Sequence, residues 1–230
     1  MLFVLGIPRC NEPPEVLSAT FEAVRRSAQV PDLSIVVDNG DEPLGPVEGF
    51  GVVRPGRNVG CAGAWNVICL RALNELEADH VVIINGDCEV ARDTFQRLLA
   101  SPKPAVFAHG FSCFRLSREV WQKVGPFDEL YYPVYWEDTD YRRRMQLAGV
   151  ESENWPVEEV YRPSYGRAKY VSGITHGWGR EDGSYQGWRG EKDRWFRDGL
   201  ARNRERYLAK WGGLPGEETH LIPFGTGFEP

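Results

Sequence analysis

The chain lacks several things, and each absence removes a class of protein. No apolar run in its 230 residues approaches the ~20 that a membrane-spanning helix needs, so no membrane span is expected. The start, Met1-Leu2-Phe3-Val4-Leu5-Gly6, has no basic leader and reads as a strand, so no signal peptide is expected and a cytoplasmic location follows. The five cysteines (Cys10, Cys61, Cys69, Cys88 and Cys113) are odd in number and none forms a CxxC. Reduced, buried thiols explain them better than a disulfide framework or a zinc ribbon. An excess of positive charge is missing too: 27 Lys+Arg stand against 33 Asp+Glu, a net −6, which excludes a generic nucleic-acid or membrane-surface coat. There is no internal repeat and no low-complexity tract. What is present is enough apolar side chain to build a core: 42% hydrophobic and 12% aromatic residues exclude wholesale disorder.

The charge is unevenly spread. Residues 1–160 hold 15 basic and 24 acidic residues, whereas residues 161–211 hold 12 and 6. A boundary near residue 160 therefore separates an acidic front from a basic, aromatic-rich segment. The expected organisation is a core over 1–160 and an extension over 161–230 packed on the same domain.

The front half alternates strand and helix. Leu2–Ile7 is a continuous apolar run, as in a strand buried on both faces. Asn11 or the Pro13-Pro14 pair can open a helix, with Leu17, Phe21, Val24 and Ala28 on one face. Leu33–Val37 and Gly51–Arg54 read as strands. Trp65, Cys69, Leu73 and Leu76 mark a second helical face. His80–Ile84 is a fourth strand, and Phe95, Leu98 and Leu99 suggest a short helix. Further on come a strand over Phe111–Leu116, a helix over Ser117–Val124 with a Ser N-cap, and a helix opening near Glu137-Asp138 and closed by Gly149. The rhythm predicts an α/β fold, a mostly parallel sheet flanked by helices, in which ligands bind at the carboxyl ends of the strands. Asp38 and Asp87 fall at such ends.

Four places carry chemistry. Asn85-Gly86-Asp87 offers an amide oxygen, a side-chain-free approach and a carboxylate, which suits a hard divalent cation bridging phosphates; a solvated Asp capping the next helix is the plainer alternative. Glu137 and Asp138 stand among aromatics, where burial and mutual repulsion raise carboxyl pKa values as a general base requires; charge favourable to the helix dipole is the other explanation. The loop from Asn58 through Gly60 to Asn66 has the small residues that admit a ligand close to the backbone and a helix N-terminus for its anionic groups, although its glycines equally suit a turn. His176, between glycines, is a metal ligand, a phosphate donor or a surface residue. His80, His109 and His220 have no evident partner and read as structural.

Taken in order, these segments resemble the family 2 glycosyltransferases, whose Rossmann-like nucleotide-sugar-binding fold is called GT-A. The matching pieces are Ile7-Pro8-Arg9-Cys10-Asn11, Ile35-Val36-Val37-Asp38-Asn39-Gly40, Asn58 through Asn66, and Val81 through Asp87, the last similar to the metal-binding DxD strand in an N-x-D form. The longest match runs from Phe114 through Gly125-Pro126-Phe127-Asp128-Glu129 to Trp136-Glu137-Asp138-Thr139-Asp140-Tyr141 and Gly149. The resemblance covers about 150 residues. It implies an inverting transfer of a sugar from a nucleotide-diphospho-sugar, a UDP-sugar by default, to an acceptor hydroxyl, with Mn2+ or Mg2+. It implies that Asp38 and Pro8 contact the nucleoside, that Asn58, Gly60, Asn66 and Asn85 line the nucleotide pocket, and that Asp87 holds the cation. Asp138 is then the base, Glu137 orients the acceptor, and His176 falls where some members place a further metal ligand.

The basic segment 161–211 is expected on the acceptor side. Its interleaved basic and aromatic residues suit a phosphate backbone with a stacked base, and small phage enzymes similar to this family glycosylate hydroxymethylated pyrimidines in DNA. A virion protein or a surface glycan is an alternative acceptor, and a non-catalytic nucleotide-sugar binder an alternative function. The bland explanation of Asp198–Lys210 is a charged helix in which Leu200, Arg204, Tyr207 and Leu208 pack while Arg202 and Arg206 face water.

Overall fold

A computed structural model describes residues 1–12, 14–155 and 191–229, with side chains of the last helix described from residue 197. His176, a candidate metal ligand, and the basic segment between 161 and 190 lie outside the described residues.

The described residues form one seven-stranded sheet: β1 (Phe3–Arg9), β2 (Leu33–Asp38), β3 (Gly51–Val53), β4 (His80–Ile84), β5 (Ala105–Phe107), β6 (Cys113–Ser117) and β7 (Ser152–Asn154), in the order β3-β2-β1-β4-β6-β5-β7. The first four strands pair in parallel, β6 lies antiparallel between β4 and β5, and β7 is parallel to β5. Apolar residues of β1, β2 and β4 alternate between two cores, which is why these strands read as unbroken apolar runs. Phe3, Leu5, Ile7, Val82 and Ile84 meet α1 (Pro14–Arg25) and α3 (Thr94–Ala100) on one face. Val4, Ile35, Val81 and Ile83 meet α2 (Gly60–Cys69), α4 (Arg118–Val124) and α5 (Glu137–Leu147) on the other.

The expected elements form, with instructive departures. Ser117 caps α4 by accepting from the Val120 amide at 3.3 Å. Gly149 follows α5 with φ +63°, the left-handed turn that glycine tolerates. Leu76 does not join the face of Trp65, Cys69 and Leu73: a π-helical turn over Leu70–Glu75 widens the helix, so Leu76 rotates outward to 43% exposure and Ala78 is buried instead. β5 is too short, and β7 (Ser-Glu-Asn) too polar, to show in the sequence pattern.

The last helix, α6 (Glu191–Trp211), packs by a face that matches the expected one only in part: Tyr207 is buried and Arg202 exposed, as expected. Leu200 and Arg204 are exposed, while Asn203, Tyr207, Lys210 and Trp211 are buried. Arg206 turns inward to Asp128 at 3.0 Å rather than to water. A polar face is buried because the surface it meets is also polar, and contacts chosen by ionic partners leave no apolar periodicity to read.

Candidate active site

Strand order places the reversal of chain direction between β1 and β4: β2 and β3 lie on one side of β1, and β4 returns on the other. The crevice at the carboxyl ends of those two strands is where this class of sheet binds ligands. The exits of β1 and β4 face each other there. The Glu12 carboxyl packs against the turn after β4, with Oε1 only 2.7 Å from where a Cβ on Gly86 would sit. A side chain at position 86 would therefore displace an acid. Burial first, and then the charge of Asp87, push the Glu12 carboxyl up to about 7, against the pull of the Cys10 amide, which donates to its Oε2 at 2.7 Å. Asp87 itself is 2% exposed. Two buried carboxyls in mutual repulsion fit a divalent cation, so the residues present are compatible with one, with Asp87 as its holder.

Asp38 ends β2, and each of its oxygens accepts from two partners. Oδ1 accepts from Arg9 Nη1 at 2.6 Å and the Gly40 amide at 3.0 Å; Oδ2 accepts from Arg54 Nη1 at 2.7 Å and the Leu44 amide at 2.8 Å. Burial raises its pKa, but those amides and guanidiniums outweigh it and hold the carboxyl below the usual range. Next to it, Asn39 ties β2 to the following loop. Its Nδ2 donates to the Gly60 carbonyl at 3.0 Å and its Oδ1 accepts from the Val59 amide at 3.2 Å, while Asn58 Oδ1 accepts from the Gly60 amide at 2.8 Å. Pro8, half-buried, lies in β1 opposite Val37. Asn66 is placed elsewhere. Its amide bridges Phe127 and Glu129 (Nδ2 to Phe127 O 2.9 Å and to Glu129 Oε1 2.8 Å; Oδ1 from Phe127 N 2.8 Å), beside a second cavity on the far side of α2.

Glu137 and Asp138 open α5 and share a cavity of about 270 Å3 with Asn85. Its wall also carries Cys61, Trp65, His109, Phe111, Tyr135 and Trp155. Glu137 is 2% exposed and hydrogen-bonded to the Cys61 thiol. Burial, and next the charge of Asp138, push its carboxyl well above the glutamate range. Asp138 is half-buried and accepts from the Thr139 amide at 2.7 Å. The two neighbouring acids thus sit in different environments, one enclosed and one open to the cavity, the usual arrangement for dividing acid and base roles.

The approach to these acids is a strained loop. Tyr135 and Trp136 have φ of 71° and 77°, a left-handed pair without glycine, a conformation costing about 1–3 kcal/mol per residue unless neighbours enforce it. They do so from two sides. The Cys61 amide donates to the Pro133 carbonyl at 2.8 Å, and Gly60, at φ +75°, leaves room for that carbonyl, which a Cβ would meet at 2.8 Å. From α6, the fully buried Asn203 donates to the Val134 and Tyr135 carbonyls at 3.1 and 3.2 Å, and Trp136 rests on Tyr207 with ring centroids 5.1 Å apart. One turn into α5, Asp140 anchors the helix: it accepts from Trp211 Nε1 at 2.9 Å and Arg144 Nε at 2.8 Å, and pairs with Lys210 at 2.7 Å.

Sequence reasoning did not single out Glu12, Asn39, Cys61, Asn203 or Trp155, and it read His109, which lines the cavity, as structural. Glu12 stands one residue past the quoted β1 segment, so extending that segment reaches it. Asn203 carried no signal, because a lone asparagine in a charged helix looks solvated. Among the described residues no group of three or more His, Cys, Asp or Glu is gathered as a metal cluster, and no helix is long and apolar enough to cross a membrane.

The fold is that of the nucleotide-sugar glycosyltransferases, an α/β sheet of the GT-A type. Similar solved structures include a mannosyltransferase from Pyrobaculum calidifontis in complex with GDP-Man and Mn2+, at 20% identity over 71% of this chain with a TM-score of 0.52. Residues 1–349 of TarS from S. aureus align at 12% identity over 64% of the chain with a TM-score of 0.50. The same TarS region in complex with UDP-GlcNAc aligns at 13% identity, also over 64% and with a TM-score of 0.50. This chain spans 54% to 58% of the length of these structures. No protein-family model matches the sequence, and no curated protein matches it.

Proposed function

We propose that this protein is a metal-dependent, inverting glycosyltransferase that moves a sugar from a nucleotide-diphospho-sugar to an acceptor hydroxyl. The observation that carries it is the convergence of Asn85, at the exit of β4, and Glu137-Asp138, at the start of α5, on one cavity at the carboxyl edge of the sheet. The acceptor oxygen attacks the anomeric carbon as the bond from that carbon to the diphosphate oxygen breaks, and the face of the sugar inverts. Asp138, open to the cavity, takes the hydroxyl proton. Glu137, enclosed and with its carboxyl pushed upward by burial, shapes the wall beside the base. Asp87 would hold the cation, which when bound neutralises the charge of the departing diphosphate. The exits of β1 and β2, with Pro8, the Asp38 clamp and the Asn58–Gly60 turn, form the nucleoside side. The relatives in fold bound to GDP-Man and to UDP-GlcNAc support a nucleotide-sugar donor, and the mannosyltransferase supports Mn2+.

The test is incubation with Mn2+ and a panel of nucleotide sugars, reading nucleoside-diphosphate release and thermal shift. Stabilisation by one donor and release of its nucleotide are expected. No binding and no turnover with any donor rejects the proposal.

A further inference from the structure

The cavity beside Asp138 also has a chemical character of its own. Its volume, about 270 Å3, suits a single six-membered ring with its substituents. Four aromatic side chains wall it: Trp65, Phe111, Tyr135 and Trp155. The half-buried Trp155 is held ready, with the Arg97 guanidinium 4.4 Å over its ring and its Nε1 donating to Glu153 at 3.0 Å. Between the aromatics stand hydrogen-bonding groups. Three lining side chains carry a buried polar atom with no hydrogen-bond partner among the described residues: Trp65 Nε1, a donor; Asn85 Oδ1, an acceptor; and Glu137 Oε2. Such atoms are costly unless a ligand or water meets them. The polar side chains of the lining, Asn85, Ser112, Tyr135 and Asp138, include both donors and acceptors, and a ring carrying several hydroxyls matches both. Among the described residues no Lys or Arg lines the cavity, whereas Glu137 and Asp138 do, so those walls disfavour an anionic group. The basic side chains described against its walls are engaged within the protein: Arg142 lies 5.2 Å from the Phe111 ring centroid and donates to Asn154 Oδ1 at 3.0 Å, and Arg202 donates to the Tyr132 carbonyl at 2.5 Å. Finally, the lining includes Asp138 but not Asp87, which places the cavity on the base's side of the reaction rather than the diphosphate's.

We propose that this cavity seats a neutral pyranoside ring of the acceptor, its apolar face on the aromatic wall and one hydroxyl turned to Asp138, so that the acceptor is an uncharged glycoside rather than a nucleic acid. The proposal rests on the transferase reading for the ring's fate, but not for its binding. The experiment titrates neutral methyl hexopyranosides into the protein alone and follows tryptophan emission and saturation-transfer NMR. Saturable binding is expected for at least one glycoside, unaffected by added salt. Trp155→Ala and Tyr135→Ala should each weaken it about tenfold while the thermal melt stays within a few degrees, since both side chains are half-buried. The nucleotide-sugar donor should leave glycoside binding intact. Competition by the donor would assign the cavity to the donor's sugar and overturn the proposal. Salt-sensitive binding of a hydroxymethylated oligonucleotide, with no glycoside bound, would overturn it in favour of DNA. Donor hydrolysis with no glycoside bound would overturn it while leaving the transferase reading standing. Glycoside binding without turnover of any donor would uphold the cavity and remove the transferase reading.

Discussion

Glu137 and Asp140 lie within one turn of the same helix, both acids and both buried, at 2% and 0% exposure. Their surroundings are opposite. Asp140 is met by Arg144, Lys210, Trp211 and Tyr131, so its charge is compensated and the residue joins α5 to α6. Glu137 has a thiol and another acid beside it and no cation among the described residues, so burial and that acid push its carboxyl well above the glutamate range. A buried charge that is fully partnered is a structural device; one left without a counter-charge, beside a cavity, marks a place prepared for something else.

That contrast predicts that the acids of this turn fail in different ways. The largest effect is expected at the open acid. Asp138→Asn should lower turnover by about 10²–10⁴-fold while donor binding, read by thermal shift, is kept; undiminished turnover would take the base role from Asp138. At the partnered acid the loss should appear in stability. Asp140→Ala deprives Arg144 of its carboxylate and leaves Lys210 with Asp128 alone, and should cost about 3–5 kcal/mol, lowering the melting temperature by roughly 10 °C. A melt unchanged by this substitution would break the comparison.

Between these lies the support of the loop. Asn203→Ala leaves the Val134 and Tyr135 carbonyls without their shared donor, a cost of about 1–3 kcal/mol in thermal unfolding. A loop that tolerates this loss shows that α2 alone enforces the left-handed pair.

The smallest effect is expected at the acid without a counter-charge. Glu137→Gln should leave stability below pH 4.5 within about 1 kcal/mol of the parent, because there the amide replaces a neutral carboxyl of nearly the same shape. The sign of its pH dependence is fixed. A carboxyl raised in the folded state contributes fully below its ordinary value of 4.5 and loses that contribution as pH rises towards its folded value. The parent should therefore lose stability relative to Glu137→Gln as pH rises above 4.5. A difference that stays constant with pH means that Glu137 is ionised in the folded protein.

The strands and the two acid-bearing turns were legible in the sequence because they depend on local information. Apolar runs such as His80–Ile84 report burial on both faces, and turn residues such as Asn85-Gly86 and Gly149 report backbone geometry within a few positions. Leu76 was misplaced because a π-helical turn changes the period without changing composition. The packing face of α6 was misplaced in part because ionic contacts to Asp128 and Asp140 come from residues 70 or more positions away.

By itself, then, the sequence determined the order of strands and helices and which acids stand at their ends, since both follow from hydrophobic period and turn chemistry along the chain. Tertiary structure alone decided which of those acids meets a counter-charge and which is left without one, because that depends on the groups that distant segments bring within a few ångströms. It also decided that Asn85 and Asp138 share one cavity while Asn66 borders another: helices packed on opposite sides of a loop set those distances, and no spacing in the sequence records them.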